Sequence, residues 1–232
     1  MRKIDNGDCP QVLLSEAVHN DLHRMEQDVA RGDNPKADRK IYAHSDVKNA
    51  LKKDNPFCKC AYCERHLNGD PGEVEHYRPK GGYINPATGK LVTPGYWWLA
   101  YSWDNMLLSC SACNRSYKKN NFPLEDENQR NIAGRDISQE KPLLINPAQE
   151  DPASHIEFNE WVVRPKKVDG CVDLKGKTTI EVLQLNRKDL KDQRWREWIY
   201  MEKVKDAGVD IDQLIDENSE FLGMFQNNTF PL

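Results

Sequence analysis

The chain has 232 residues, of which 38% are apolar and 30% charged, with six Trp, eight Tyr and six Phe. So much aromatic side chain excludes a disordered tail, and the length allows one large domain or two small ones. The formal net charge of −4 gives no global basic signature of nucleic-acid binding, and no apolar run approaches a membrane span. In chain order, Leu14, Val18, Leu22, Met25 and Val29 recur at steps of three and four, which predicts an amphipathic helix over 11–31 ending near Gly32. A second helix starts at Ser45 as N-cap, turns Val47, Ala50 and Leu51 inward, and stops before Asn55-Pro56. Residues 57–82 read as a knuckle, a short strand and a turn, and the turn-rich 83–96 as a hairpin-like excursion. A short buried strand follows over 103–109, then a short helix over 110–120. The acidic 125–140 is expected as an exposed loop. Residues 156–163 alternate as a strand, with 171–174 pairing to it across Lys166–Gly170. From Thr178 to about Asp206 the pattern is helical with a break near Asn186, and Trp195, Trp198, Met201 and Val204 give the last long helix an apolar side.

The charge is uneven. Residues 60–123 hold seven Lys/Arg against five acids, and 124–160 hold three against nine, which is a local argument about partners. The N-terminus MRKIDNGDCPQ carries charges and no signal-peptide core, so a cytoplasmic, membrane-free protein is expected. In a reducing compartment, seven cysteines suggest metal binding before disulfides. Two pairs stand out, Cys60-x-x-Cys63 and Cys110-x-x-Cys113. Each suits a tight knuckle presenting two thiolates, and two knuckles close a tetrahedral four-sulfur site, which is structural. One Zn²⁺ per chain is the expectation; buried free thiols are the plainer alternative, and Cys58 could replace Cys60 as ligand. Cys9 and Cys171 stand alone and are expected to be packing residues. The 46 residues between the pairs carry Glu75, His76, Arg78, Lys80 and Asn105, and Asn114 directly follows the second knuckle.

The order Glu75-His76, Asn105, Cys-x-x-Cys-Asn114 resembles the HNH, or ββα-metal, endonucleases, whose unit is often bracketed by two such knuckles. The separation of nine between Asn105 and Asn114 fits the family's step from strand to helix, and the resemblance covers about residues 56–123. It implies an α+β fold: a zinc-stapled ββα-metal HNH core over 56–123, a helical N-terminal extension over 1–55, and a mixed, mainly helical C-terminal extension over 124–232 that contacts a partner. By the same resemblance His76 is the general base, Asn105 ties down the loop carrying it, and Glu75 and Asn114 hold a catalytic Mg²⁺ or Mn²⁺. Arg78, Lys80, Arg115, Lys118 and Lys119 are then available for phosphates. Glu75 departs from the commoner Asp, and Asn114 replaces the usual third His. Tyr96-Trp97-Trp98 and Trp103 either stack on bases or, more in keeping with a small metal fold, pack its core.

Flanking stretches such as FCKCAYCERHL, VEHYRPKGGY and PLLINPAQEDPASHIEF are similar to the small HNH proteins of bacterial anti-phage defence systems of the Septu type, also found with some retrons. That implies an effector nuclease acting on nucleic acid, DNA before RNA or tRNA, and a partner ATPase subunit of ABC or SMC type. The helix around Trp195 and Trp198 is either a partner surface or packed on the core. The rival classes are a non-catalytic zinc module that binds nucleic acid or protein, and an adaptor with a vestigial core.

Overall fold

A computed structural model describes residues 1–53 and 58–226. The chain is mixed α and β, and one apolar cluster runs through it from Met1 to Phe225. Helix α1, Glu16–Ala30, buries Val18 and Met25, half-buries Leu22 and Val29, and ends before Gly32, whose positive φ reverses the chain. Leu14 departs from the predicted stripe. It closes a separate 3₁₀ turn, Gln11–Leu14, because the extended backbone of Ser15 breaks the helix, and it is 61% exposed while Leu13 is buried. A four-residue helix α2, Arg39–Tyr42, comes next, then α3, Ser45–Lys53, with Val47 and Leu51 buried. The first-turn amide of Asp46 is met by the His44 ring nitrogen at 3.2 Å, so the capping group lies one residue before Ser45. The predicted stop at Asn55-Pro56 lies outside the described residues.

The centre is a two-stranded antiparallel pair, β1 (Glu73–His76) and β4 (Met106–Ser109), in the register Glu73↔Ser109 to His76↔Met106. Between them lies the hairpin β2 (Tyr83–Ile84) and β3 (Leu91–Val92), tied to the end of the next helix by Ile84 N–H donating to Asn120 O at 2.9 Å. Gly95 brings the hairpin's exit against the loop after β1. A Cβ there would lie 2.3 Å from Pro79 O and 2.4 Å from Gly82 N, so only glycine fits. After β4 comes a π-helix, Ala112–Lys118, whose last turn is closed by Lys119 N–H reaching back to Asn114 O at 2.8 Å. Tyr96 and Trp97 are buried, and Trp103 donates its indole N–H to Gly7 O at 2.9 Å.

Residues 125–140 are mostly exposed, but two of them turn inward. Glu140 accepts an ion-paired hydrogen bond from buried Arg78 and another from Tyr96 Oη, and Arg130 lies over the Tyr83 ring at 4.0 Å. The expected single strand over 156–163 is two strands. Ile156–Asn159 (β5) turns at Glu160-Trp161 and pairs with Val162–Pro165 (β6). Residues 171–172 (Cys171–Val172, β8) pair with Lys167–Val168 (β7) and not with 156–163. Helix α4, Leu174–Val182, is capped by Asp173 and packs on β6. The break falls where predicted, because Asn186 leaves the helical path to hydrogen-bond both backbone groups of Val163. Helix α5, Lys188–Asp206, buries Leu190, Arg194, Trp198 and Met201, while Trp195 is 45% exposed and lies off its apolar side. A short buried helix α6, Leu222–Gln226, closes the described chain. No helix among the described residues is long and apolar enough to cross a membrane.

Candidate metal centre and active-site cleft

The first knuckle turns on Glu64, which has a positive φ, and Ala61 N–H donates to Leu108 O, so Cys60 and Cys63 are pinned beside the end of β4. Cys110 follows β4 directly, and Cys113 N–H points at Cys110 Sγ, 3.4 Å away. All four sulfurs are buried and lie within 4.8 Å of one another, with Cys63 and Cys110 Sγ at 3.9 Å. A zinc tetrahedron with bonds of about 2.3 Å has edges of about 3.8 Å, so these side chains can hold a structural Zn²⁺. Among the described residues they form the one cluster of three or more Cys, His, Asp or Glu able to hold an ion. Cys58 stands outside it, which settles the choice between Cys58 and Cys60. Cys171 is exposed, contrary to a packing role. Four thiolates around Zn²⁺ leave two net negative charges, and two arginines answer them. Arg187 Nη2 lies 4.0 Å from Cys113 Sγ; burial opposes its charge, but the thiolates of Cys113 and Cys63 prevail and raise its pKa. Arg65 is raised in the same way by Cys63 and Cys110 against its burial, and it reaches Asp189 and Gln193 on α5.

The end of β1 opens on a cleft of about 620 Å³, lined by residues of the π-helix and of the segment 34–48 among others. His76 is 5% exposed. Its Nε2 lies 2.9 Å from Ala100 O, and since a carbonyl can only accept, the proton sits on Nε2 and the lone pair on Nδ1. Nδ1 faces the Lys80 ammonium at 3.3 Å, and the Tyr42 ring stands edge-on at 5.0 Å. Burial, then the charge of Lys80, push the His76 pKa down to about 3, so the imidazole is neutral. Burial lowers Lys80 to about 8. Asn105 sits behind this layer. Its Oδ1 accepts from Arg78 N–H at 2.7 Å and its Nδ2 donates to Arg78 O and Leu99 O at 3.0 and 3.1 Å, which fixes the loop that leaves His76.

The other predicted residues divide. Asn114, Lys80, Arg115 and Lys119 line the cleft with His76. Glu75 also borders it, but its carboxylate is 2.5 Å from Lys118 Nζ and 3.5 Å from Tyr62 Oη, and burial raises its pKa against the pull of Lys118. Asn114 instead donates to Glu73 Oε2 at 2.8 Å, and Glu73 also binds Arg115 at 2.6 Å. Two strand residues apart, Glu73 and Glu75 share a face, and the helix engages them separately. Two of the cations expected on phosphates are corrected to the interior. Arg78 lies between the Tyr96 and Phe122 rings and pairs with Glu140, and Lys118 is fully buried, donating also to His76 O at 3.0 Å. Sequence reasoning passed over Tyr42, Arg39, Lys48 and Glu73; the basic, aromatic run KADRKIY over 36–42 was the available signal for the first two.

No known family model matches the chain. It is 43% identical over 154 residues to Septu protein PtuB of Bacillus mycoides (strain KBAB4), covering 66% of this chain and 51% of that protein. The chain resembles PtuB. A second PtuB, of Bacillus thuringiensis, is 35% identical over 133 residues, 56% of this chain and 38% of that one. Septu protein PtuA of Bacillus mycoides (strain KBAB4) is 29% identical over 176 residues, 72% of this chain and 24% of that protein, so the likeness there is to a stretch of a longer protein. The chain spans about half or less of the length of these curated relatives.

Proposed function

We propose that the chain is a metal-dependent HNH endonuclease that hydrolyses nucleic-acid phosphodiester bonds, DNA before RNA, as the effector of a Septu-type anti-phage defence complex with an ABC- or SMC-like ATPase. The observation that carries this reading is the fixed tautomer of His76. Ala100 O holds the proton on Nε2, Asn105 holds the loop, and the Nδ1 lone pair faces Lys80 Nζ at 3.3 Å in a cleft bordered also by Asn114, Arg115 and Lys119. For this imidazole to take a proton from a water aligned with a phosphorus atom, Lys80 must leave Nδ1 to the water, which also lifts part of the depression of the His76 pKa. Asn114 and Glu75 are the proposed holders of Mg²⁺ or Mn²⁺, which requires Glu75 to exchange Lys118 for the ion; bound there, the ion would neutralise the charge developing on the phosphoryl oxygens. Lys80, 3.3 Å from Nδ1, opposes charge on the imidazole, so in this reading its ammonium turns to a substrate phosphate as His76 takes the proton. The likeness to proteins named PtuB and PtuA supports the defence context and a second subunit.

The test incubates the purified chain, alone and with its ATPase, with duplex DNA, single strands and tRNA in Mg²⁺. Cleavage that His76→Ala abolishes, at unchanged zinc content and circular dichroism, is expected. Binding without cleavage, unaffected by His76→Ala, would leave a non-catalytic zinc module.

A further inference from the structure

We infer that the N-terminal segment 35–48 is the second bank of the substrate cleft. Arg39 and Lys48 take nucleic-acid backbone phosphates on the side of His76 facing away from Arg115 and Lys119. This rests on the nuclease reading and adds to it a site outside the 56–123 core.

The cation inventory points there first. Arg78 and Lys118 are buried in ion pairs, which leaves Lys80, Arg115 and Lys119 along the core's own bank, and Arg115 is shared with Glu73. The segment 34–48 brings Lys36, Arg39 from α2 and Lys48 from α3 to the lining of the same cleft, and Arg39 and Lys48 are the two that helices carry there. Some surface cations of this acidic chain are matched to carboxylates, among them Arg24, Arg31, Arg135 and Lys188, while others, such as Lys167 and Lys177, have no such match among the described residues, so it is their place on the cleft that singles out Arg39 and Lys48. Neither Arg39 nor Lys48 has a carboxylate at ion-pair distance among the described residues. Unneutralised cations lining one cleft favour a polyanion within it.

The bank is also held in place. Asp38 N–H donates to Tyr101 Oη at 2.7 Å and to Asp21 Oδ2 at 3.1 Å, Pro35 is buried, and Arg24 donates to Lys36 O at 2.6 Å. Tyr42, at the end of α2, has Lys80 Nζ 4.3 Å above its ring and His76 against its edge. The backbone that carries Arg39 is therefore tied to His76 through the packed Tyr42 ring, which keeps the exposed Arg39 side chain near a phosphate adjoining the scissile one.

The experiment measures anisotropy of a labelled duplex DNA and a single-stranded RNA of equal length, without added magnesium, from 50 to 200 mM salt. It compares wild type, Arg39→Gln/Lys48→Gln, Arg39→Lys/Lys48→Arg, and Lys167→Gln/Lys177→Gln, whose residues lie outside the cleft. Zinc content and melting curves establish that each variant folds. Losing two phosphate contacts lowers the slope of log affinity against log salt by about 1.8 for duplex and about 1.4 for single strands. Across a fourfold rise in salt, duplex binding by the double Gln variant then falls about 12-fold less than wild type. Expected are that flattening on whichever nucleic acid binds, restoration by the charge-preserving pair, and a wild-type slope for the pair outside the cleft. An unchanged slope in Arg39→Gln/Lys48→Gln, or an equal loss in the outside pair, overturns the inference and leaves the nuclease reading standing. Absence of nucleic-acid binding by the wild type overturns both.

Discussion

Replacing Asn105 with Ala tests the way the site is built, independently of catalysis. The side chain is 4% exposed and makes three hydrogen bonds to backbone, at 2.7, 3.0 and 3.1 Å, all within the layer under His76. Each bond is worth about 1 kcal/mol net, and removing one partner leaves the other dry at about 1–3 kcal/mol. Because the side chain is buried, a loss of about 3 kcal/mol or more is expected. Asn105→Asp keeps the acceptor for Arg78 N–H but sets a carboxylate against Arg78 O and Leu99 O, and should lose at least as much. Equilibrium urea unfolding of zinc-loaded protein, followed by tryptophan fluorescence, reads this directly. A loss under about 1 kcal/mol for both variants would show that these contacts do not hold the loop, and the positioning argument for His76 would go with them.

Other expectations follow from the same contacts. Glu140→Ala strands the Arg78 guanidinium between aromatic rings and should cost about 3–5 kcal/mol, whereas Arg78→Met with Glu140→Leu should recover much of it in the same unfolding assay. Cys113→Ser should abolish the single bound zinc by metal analysis and unfold the chain by circular dichroism, since structural zinc binding of about 10–16 kcal/mol exceeds typical domain stability. The pH dependence has a defined sign. His76 has a folded pKa of about 3, below its unfolded value of about 6.5, so the unfolded chain binds more protons below pH 6.5. Above 6.5 His76 contributes nothing. As the pH falls from 6.5 toward 3 it removes about 1.4 kcal/mol of stability per unit, and His76→Gln should flatten that part of the stability–pH curve relative to wild type.

What the sequence made legible followed period and spacing. Val18 and Met25 at helical steps, the break at Asn186 and the two Cys-x-x-Cys pairs are local signals that tertiary packing leaves intact. Leu14 and Trp195 show the limit, because periodicity says which residues could share a face but not where a 3₁₀ turn resets it or which side the core covers. The hairpin over 156–165 was hidden because Glu160-Trp161 lacks the usual turn residues, and the chain turns through a positive φ at Glu160. In the site, residue types pointed to His76 and Asn105, which the fold brings into one layer, but not to the partners each side chain takes. Whether Glu75 meets an ion or an ammonium depends on the π-helix, whose wider turn carries Lys118 under β1. The pairing of Arg78 with Glu140 spans 62 positions and has no sequence signature.

The arginines beside the zinc cysteines bear on how far the molecule can be trimmed. Arg187 and the Asp189 and Gln193 that engage Arg65 all come from the far end of the chain, more than 60 residues beyond the second knuckle. A fragment cut to 56–123 would keep its four sulfurs but lose part of the counter-charge around them, and would lose the Leu144 carbonyl that takes the buried Tyr77 hydroxyl. Excision would yield a metal-hungry, sticky peptide. Engineering of this scaffold should therefore graft onto its loops and leave its length whole.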